Sequence, residues 1–177
     1  MSVANAALTA CEVLDLLPVG ICIIDEGFRI LAWNRQLQDW TGLRSEEVLE
    51  TTLDQHFPSI LQDRFRLRLQ QVFTSRTPAV FTAALHKQFL PVHVRNSNPP
   101  RPMIQETRVR RLPGDRPRAL IAIHDLTSEY GQLGKLRGEH RTLKGMQNEL
   151  EESNQALQSS VGLISQNNQK LQAEVLE

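Results

Sequence analysis

The side chains best equipped for chemistry in this chain are five histidines and two cysteines. Cys11 and Cys22 form no CxxC and join no Cys/His cluster of the kind that holds zinc or attaches a c-type haem, so both read as reduced, buried thiols. His56, His86, His93 and His124 stand singly, and a lone histidine is more often a hydrogen-bonded structural residue than a ligand. His140 lies in a long helical stretch, where a phosphoacceptor histidine would be followed by an acidic residue and an Arg/Pro pattern. Arg141-Thr-Leu follows it instead, and His140 reads as a polar position in a helix seam. The sequence offers no paired carboxylates, no Ser/His/Asp order and no phosphate-cradling glycine loop. No catalytic constellation emerges, and the chain is not expected to be an enzyme.

The elements that must position these residues fall into two parts. The chain has 177 residues, enough for one globular domain plus an extension. Lysine plus arginine and aspartate plus glutamate both number 20, so overall charge calls for neither nucleic acid nor an anionic membrane. The longest apolar stretch, residues 16–24, holds Pro18 and Gly20 and is far short of the about 20 residues of a membrane span. No lysine or arginine precedes Arg29, so the N-terminus does not resemble a signal peptide; a cytoplasmic protein is expected. After Leu126 proline disappears, which places the boundary of the globular part near residue 127.

Within that part, residues 4–16 read as a short helix ending before Pro18. Residues 20–25 and 28–33 read as two strands of a hairpin around Glu26-Gly27. Asn34 is expected to cap a helix through Trp40 that Thr41-Gly42 closes, and Ser45 with Glu46 and Glu47 to cap the next. In residues 59–73, Leu61, Phe65, Leu69, Val72 and Phe73 share one helical face, which leaves Arg64, Arg66 and Arg68 on solvated faces. Residues 79–85 and 89–94 read as strands, 96–102 as a loop, and 103–112 and 118–124 as a second hairpin across Pro113-Gly-Asp115. The order suits an α+β fold, one antiparallel sheet with its helices on one face. Trp33, Phe65, Leu69, Phe81, Leu85 and His86 are candidates to line a ligand pocket, though they would serve equally as core.

These elements and residues resemble the PAS sensor domain over residues 13–127. The resemblance is carried by Leu17-Pro-Val-Gly-Ile-Cys-Ile-Ile-Asp25, by Ile30-Leu-Ala-Trp-Asn-Arg-Gln-Leu-Gln-Asp-Trp-Thr-Gly42 followed by Arg44-Ser-Glu-Glu-Val-Leu49, and by Asp125-Leu-Thr127 after the last strand. It implies a five-stranded antiparallel sheet enclosing a small-ligand pocket, and a helix leaving Asp-Leu-Thr to carry a signal onward. Residues 88–101 look longer than the family's usual turn. Some relatives bind haem through one histidine, for which His86 would be the first candidate here. Flavin-binding relatives carry a helical cysteine motif after the second strand, which this chain lacks.

The helix expected at 133–175 has the cleanest period in the chain. Leu136, Leu143, Leu150, Leu157, Ile164 and Leu171 recur every seven residues, and as d positions they put Leu133, His140, Gln147, Asn154, Val161, Asn168 and Val175 at a. Leucine at d with valine and asparagine at a favours a parallel two-stranded coiled coil, with Asn154 inside to fix the register. Gly131, Gly134, Gly138 and Gly145 near its start, each costing about 1 kcal/mol relative to alanine, are expected to soften the joint between domain and rod. The organisation expected is therefore an N-terminal helix (1–16), a PAS domain (17–127) and a dimeric signalling helix (128–177). The heptad still running at Glu177 leads to the expectation of an output domain beyond it. By resemblance that output is a histidine kinase or diguanylate cyclase of a bacterial signalling (two-component) system. The rival readings are a ligand-free dimerisation scaffold and a haem-based redox or gas sensor; no nucleic-acid or membrane partner is expected.

Overall fold

The computed structural model describes residues 10–86, 88–94 and 99–175. The N-terminal helix is seen as α1 (Ala10–Asp15), and its expected first part lies outside the described residues. β1 (Gly20–Asp25) and β2 (Ile30–Trp33) pair antiparallel. Asp25 organises the turn between them, its Oδ1 accepting from the Gly27 and Arg29 N–H groups at 2.9 Å each. The left-handed residue of the turn is Phe28, at φ 62, and the strand starts at Ile30 rather than 28 for that reason.

α2 (Arg35–Thr41) is capped by Asn34, whose Oδ1 accepts from the Leu37 N–H, and closed by Gly42 at φ 78. α3 (Ser45–Val48) is capped differently from expectation. Arg44 is its N-cap, and Glu47 accepts from the Arg44 backbone N–H at 2.9 Å, a bond that together with the Arg44 guanidinium lowers the Glu47 carboxyl pKa. Ser45 instead donates its hydroxyl to the Trp33 carbonyl. The sequence reading missed α4 (Leu53–His56). The helix expected at 59–73 is α5 (Asp63–Thr74), because Pro58–Leu61 form a separate 3-10 turn. Phe65, Leu69, Val72 and Phe73 make its buried face as expected, while Leu61, off the helix, is half exposed.

The strand expected over 79–85 stops early. β3 (Ala79–Thr82) gives way to one helical turn, α6 (Ala83–His86), and residues 89–94 form no strand, meeting 99–102 only through an isolated bridge between His93 and Pro102. Residues 95–98 of the loop expected there lie outside the described residues. β4 (Gln105–Arg111) and β5 (Arg118–Asp125) form the second hairpin, and α7 (Thr127–Val175) follows as one helix, unbroken at its glycines.

The five strands make one antiparallel sheet in the order β2-β1-β5-β4-β3. Its register lines up Trp33, Cys22, Ile121, Val109 and Ala79 in one row across the whole inner face, all buried. A second row runs Gly20, Ile123, Thr107 and Phe81. Helices cover this face: α2 packs on β1, and α5 on β3, β4 and β5. Gly20 is required by that approach, since a Cβ there would come within 2.6 Å of Leu37 Cδ2 and Trp40 Cζ3. The chain divides into two compact units between Tyr130 and Gly131. No helix among the described residues is long and apolar enough to cross a membrane.

Candidate functional site

The most built-up part of the interior lies where α5, β3, α6 and residues 88–92 meet. Phe65, Phe81 and Phe89 pack with ring centroids 5.2 to 5.5 Å apart, Phe65 and Phe89 edge to face. The His86 ring stands perpendicular to Phe81 at 5.2 Å and lies 6.2 Å from Phe65. Its Nδ1 is buried without a hydrogen-bond partner, and so is the hydroxyl of Thr107, the residue directly opposite Phe81 on β4. A buried polar atom left unpaired costs about 1–3 kcal/mol, which sets these two apart from the other polar atoms of the interior.

Gln105 holds the irregular segment against this cluster. Its Oε1 accepts from the Phe89 and Leu90 N–H groups at 3.2 Å, and its Nε2 donates to the Leu90 carbonyl at 2.8 Å. The carboxamide thus does for residues 89–90 what a strand partner would otherwise do. Sequence reasoning missed Gln105, Thr107 and Phe89. The alternation of Gln105, Thr107 and Val109 along β4 was a usable signal once that strand was placed.

The six residues expected to line a pocket divide into three groups. Phe65, Leu69, Phe81 and His86 are buried on this side of the interior. Leu85 is 77% exposed and lines nothing there, because the α6 turn swings it outward and His86 inward. Trp33 is buried too, but at the far edge of its row, four strand spacings or about 19 Å from β3. It stacks on Phe57 at 6.1 Å and, with Leu14, Ile21, Leu31 and Asn34, borders a separate groove of about 250 Å³.

Asn34 makes four hydrogen bonds through its side chain. Besides Leu37, its Oδ1 accepts from the Ile21 N–H at 2.9 Å, and its Nδ2 donates to the Leu14 and Val19 carbonyls at 3.0 and 2.9 Å. It therefore ties α1, β1 and α2 together. At the other end of the domain, Asp125 Oδ1 accepts from the Thr127 N–H at 2.9 Å and from the Thr127 hydroxyl, which in turn accepts from the Ile104 N–H at 3.0 Å. The start of α7 is latched to β4 and β5 by this Asp-Leu-Thr motif.

The remaining candidates are dispersed. His56 Nε2 bonds the Thr51 hydroxyl at 2.8 Å, and His140 is exposed on α7. Cys22 is a free thiol in the inner row, where burial pushes its pKa up and keeps it protonated. The Cys11 side chain lies outside the described ones. Among the described residues, no three His, Cys, Asp or Glu side chains gather where they could hold a metal ion. His86, the residue expected to be the first candidate for haem ligation, is buried against Phe65 and Phe81. On α7, Leu133, Leu136, Leu143, Leu150, Leu157, Val161 and Ile164 are all 48 to 65% exposed, an unpartnered apolar stripe at heptad spacing. The Leu171 and Val175 side chains lie outside the described ones.

Comparison with known proteins agrees with this architecture. The family model described as "PAS fold" matches residues 14–131. Among solved structures, the chain is similar to the photoactive yellow protein domain of the sensor histidine kinase Ppr from Rhodospirillum centenum, with 23% identity over 66% of this chain and 94% of that one, at a TM-score of 0.51. It is similar to the PAS domain of BvgS from Bordetella pertussis at 18% identity, covering 75% and 94%, TM-score 0.52. A sensory box sensor histidine kinase from Vibrio cholerae matches at 16%, covering 66% and 87%, TM-score 0.50. No curated protein matches the chain. The family match spans more than half of the chain and takes in the sheet, the helices on its inner face and the Asp-Leu-Thr latch. The chain therefore belongs to the PAS fold family, its PAS domain followed by a long C-terminal helix.

Proposed function

We propose that this chain is a signal-transduction module in which the PAS domain senses a small ligand and α7 relays the state as a parallel dimeric coiled coil to an output domain outside this chain. The observation that carries the reading is the latch between Asp125, Thr127 and Ile104. Through it, any rearrangement of the β4–β5 interior bears directly on the first turn of the helix. The unpartnered leucine stripe supports a second copy as the partner, with His140, Gln147, Asn154 and Asn168 as polar seam positions. Two structural relatives come from sensor histidine kinases, which favours a histidine kinase output over a diguanylate cyclase.

The ligand position favoured is the one beside Phe81, where His86 Nδ1 and the Thr107 hydroxyl lack partners. Those groups select a small uncharged molecule offering both a hydrogen-bond donor and an acceptor within an aromatic shell. The closed packing of Phe65, Phe81 and Phe89 supports a second reading, a ligand-free dimerisation scaffold. Two measurements separate them. A Leu136→Cys variant, far from the middle of α7, should form a disulfide-linked dimer on mild oxidation, as a parallel in-register pair allows and an antiparallel one does not; a monomer by native mass at micromolar concentration would end the relay model. Thermal shift across a metabolite panel should find a stabiliser whose effect Thr107→Val abolishes, and silence across the panel would favour the scaffold.

A further inference from the structure

The neutral net charge of the chain conceals a sorting of charge along it. Residues 63–118 hold twelve of the 20 basic residues and only three of the 20 acidic ones. That segment includes α5, β3, β4 and the hairpin leading into β5. Residues 107–118 alone contain Arg108, Arg110, Arg111, Arg116 and Arg118 against one acid, Asp115.

A cleft of about 410 Å³ opens at this end, lined by Arg76, Arg111, Leu112, Pro113 and Gly114. Arg111 is held in place there by donating from Nη1 to the Phe73 carbonyl at 2.9 Å, near the C-terminus of α5. Arg76 follows α5 in the left-handed region, at φ 55, a position that glycine occupies without strain. The arginine there holds a backbone conformation that glycine would adopt at less cost, and its side chain lines the cleft. The Arg118 guanidinium reaches within 3.8 Å of the space where Gly114 would carry a Cβ. Among the described residues, Arg76, Arg110, Arg111, Arg116 and Arg118 pair with no carboxylate; the ion pairs engage Arg29, Arg35, Arg44 and Arg108 instead. Arg76 and Arg111, brought to one cleft whose lining holds no carboxylate, repel one another, and a bound polyanion is what relieves that repulsion.

We infer that the cleft between the C-terminus of α5 and the β4–β5 hairpin is a binding site for a small soluble molecule bearing a multiply charged phosphate group, held by Arg76 and Arg111. This site is distinct from the interior beside Phe81. The volume suits a di- or triphosphate, with Leu112 and Pro113 as an apolar floor for the rest of the molecule.

The test titrates the whole chain with inorganic tripolyphosphate by calorimetry. Binding should be measurable in moderate salt and weaken at least about ten-fold in Arg76→Gly. That variant removes the cation and relieves the backbone, so its melting temperature should hold or rise, separating lost binding from lost fold. Arg111→Lys should weaken binding as well, since lysine cannot hold the same forked geometry. Arg66→Ala, an exposed arginine on α5 away from the cleft, should leave binding intact. Unchanged affinity in Arg76→Gly, an equal loss in Arg66→Ala, or no binding by the unmodified chain would overturn the assignment. So would binding to phosphatidylcholine vesicles doped with a phosphoinositide but not to tripolyphosphate, which would place the phosphate on a lipid instead.

Discussion

Asn34 makes four hydrogen bonds with one carboxamide, and every atom able to donate or accept is used. Replacing it with alanine would strand the Ile21 N–H and the Val19 carbonyl in the interior, so Asn34→Ala should cost about 3 kcal/mol in urea unfolding, well beyond an ordinary cap. Cys22 gives a pH signature. Burial raises the folded thiol's pKa, whereas in the unfolded chain it ionises near about 8.5. Unfolding then releases a proton at alkaline pH, so this contribution is intact below about pH 8.5 and lost progressively above it. Cys22→Ala should flatten that alkaline decline in melts followed from pH 7 to 10. Leu85 illustrates how a residue is misplaced from sequence. Alternation from Phe81 puts residues 83 and 85 inside a strand, but a helical turn advances about 100° per residue and turns His86 inward instead.

At the scale of elements, what is local was legible and what is not local was hidden. The Asn34 cap, the Gly42 closure and the buried face of α5 each depend on residues within a turn or two, and their types announce them. Residues 89–94 have the composition of a strand, yet the backbone of 89 and 90 is satisfied by Gln105, fifteen residues away. Nothing local in either segment signals that exchange. The aromatic cluster was half visible for the same reason: Phe65 and Phe81 follow from periodicity, whereas Phe89 and Thr107 become neighbours only through the sheet. For α7, Gly138 and Gly145 have open space where a Cβ would go, so they serve no close packing within the chain. Gly138→Ala and Gly145→Ala together should stabilise the helix by about 2 kcal/mol, read as slower amide exchange over 131–150. If that stretch in the parent chain already exchanges as slowly as 150–164, the soft-joint proposal fails. Asp125→Ala should cost about 1–2 kcal/mol and raise exchange at Thr127 and Ile104 before any other position.

For the whole molecule, the two units predict two thermal transitions. The domain, with its own core, should melt at a temperature independent of protein concentration. A dimeric α7 should melt at one that rises with concentration, by mass action. Circular dichroism at a low and a high micromolar concentration distinguishes them, and a single concentration-independent melt would argue against the paired helix. Strand order has a further consequence. β1 lies between β2 and β5, and its partner on that second side begins nearly a hundred residues later at Arg118. Until Arg118–Asp125 leaves the ribosome, a nascent chain can form only two separate ribbons, β1 with β2 and β3 with β4, each with an open edge. The last strand to be synthesised joins them both, and the residue that completes it, Asp125, also starts the long helix. Closure of the sheet and anchoring of the first turn of α7 are thus coupled, because the strand that closes the sheet ends in the carboxylate that holds that turn.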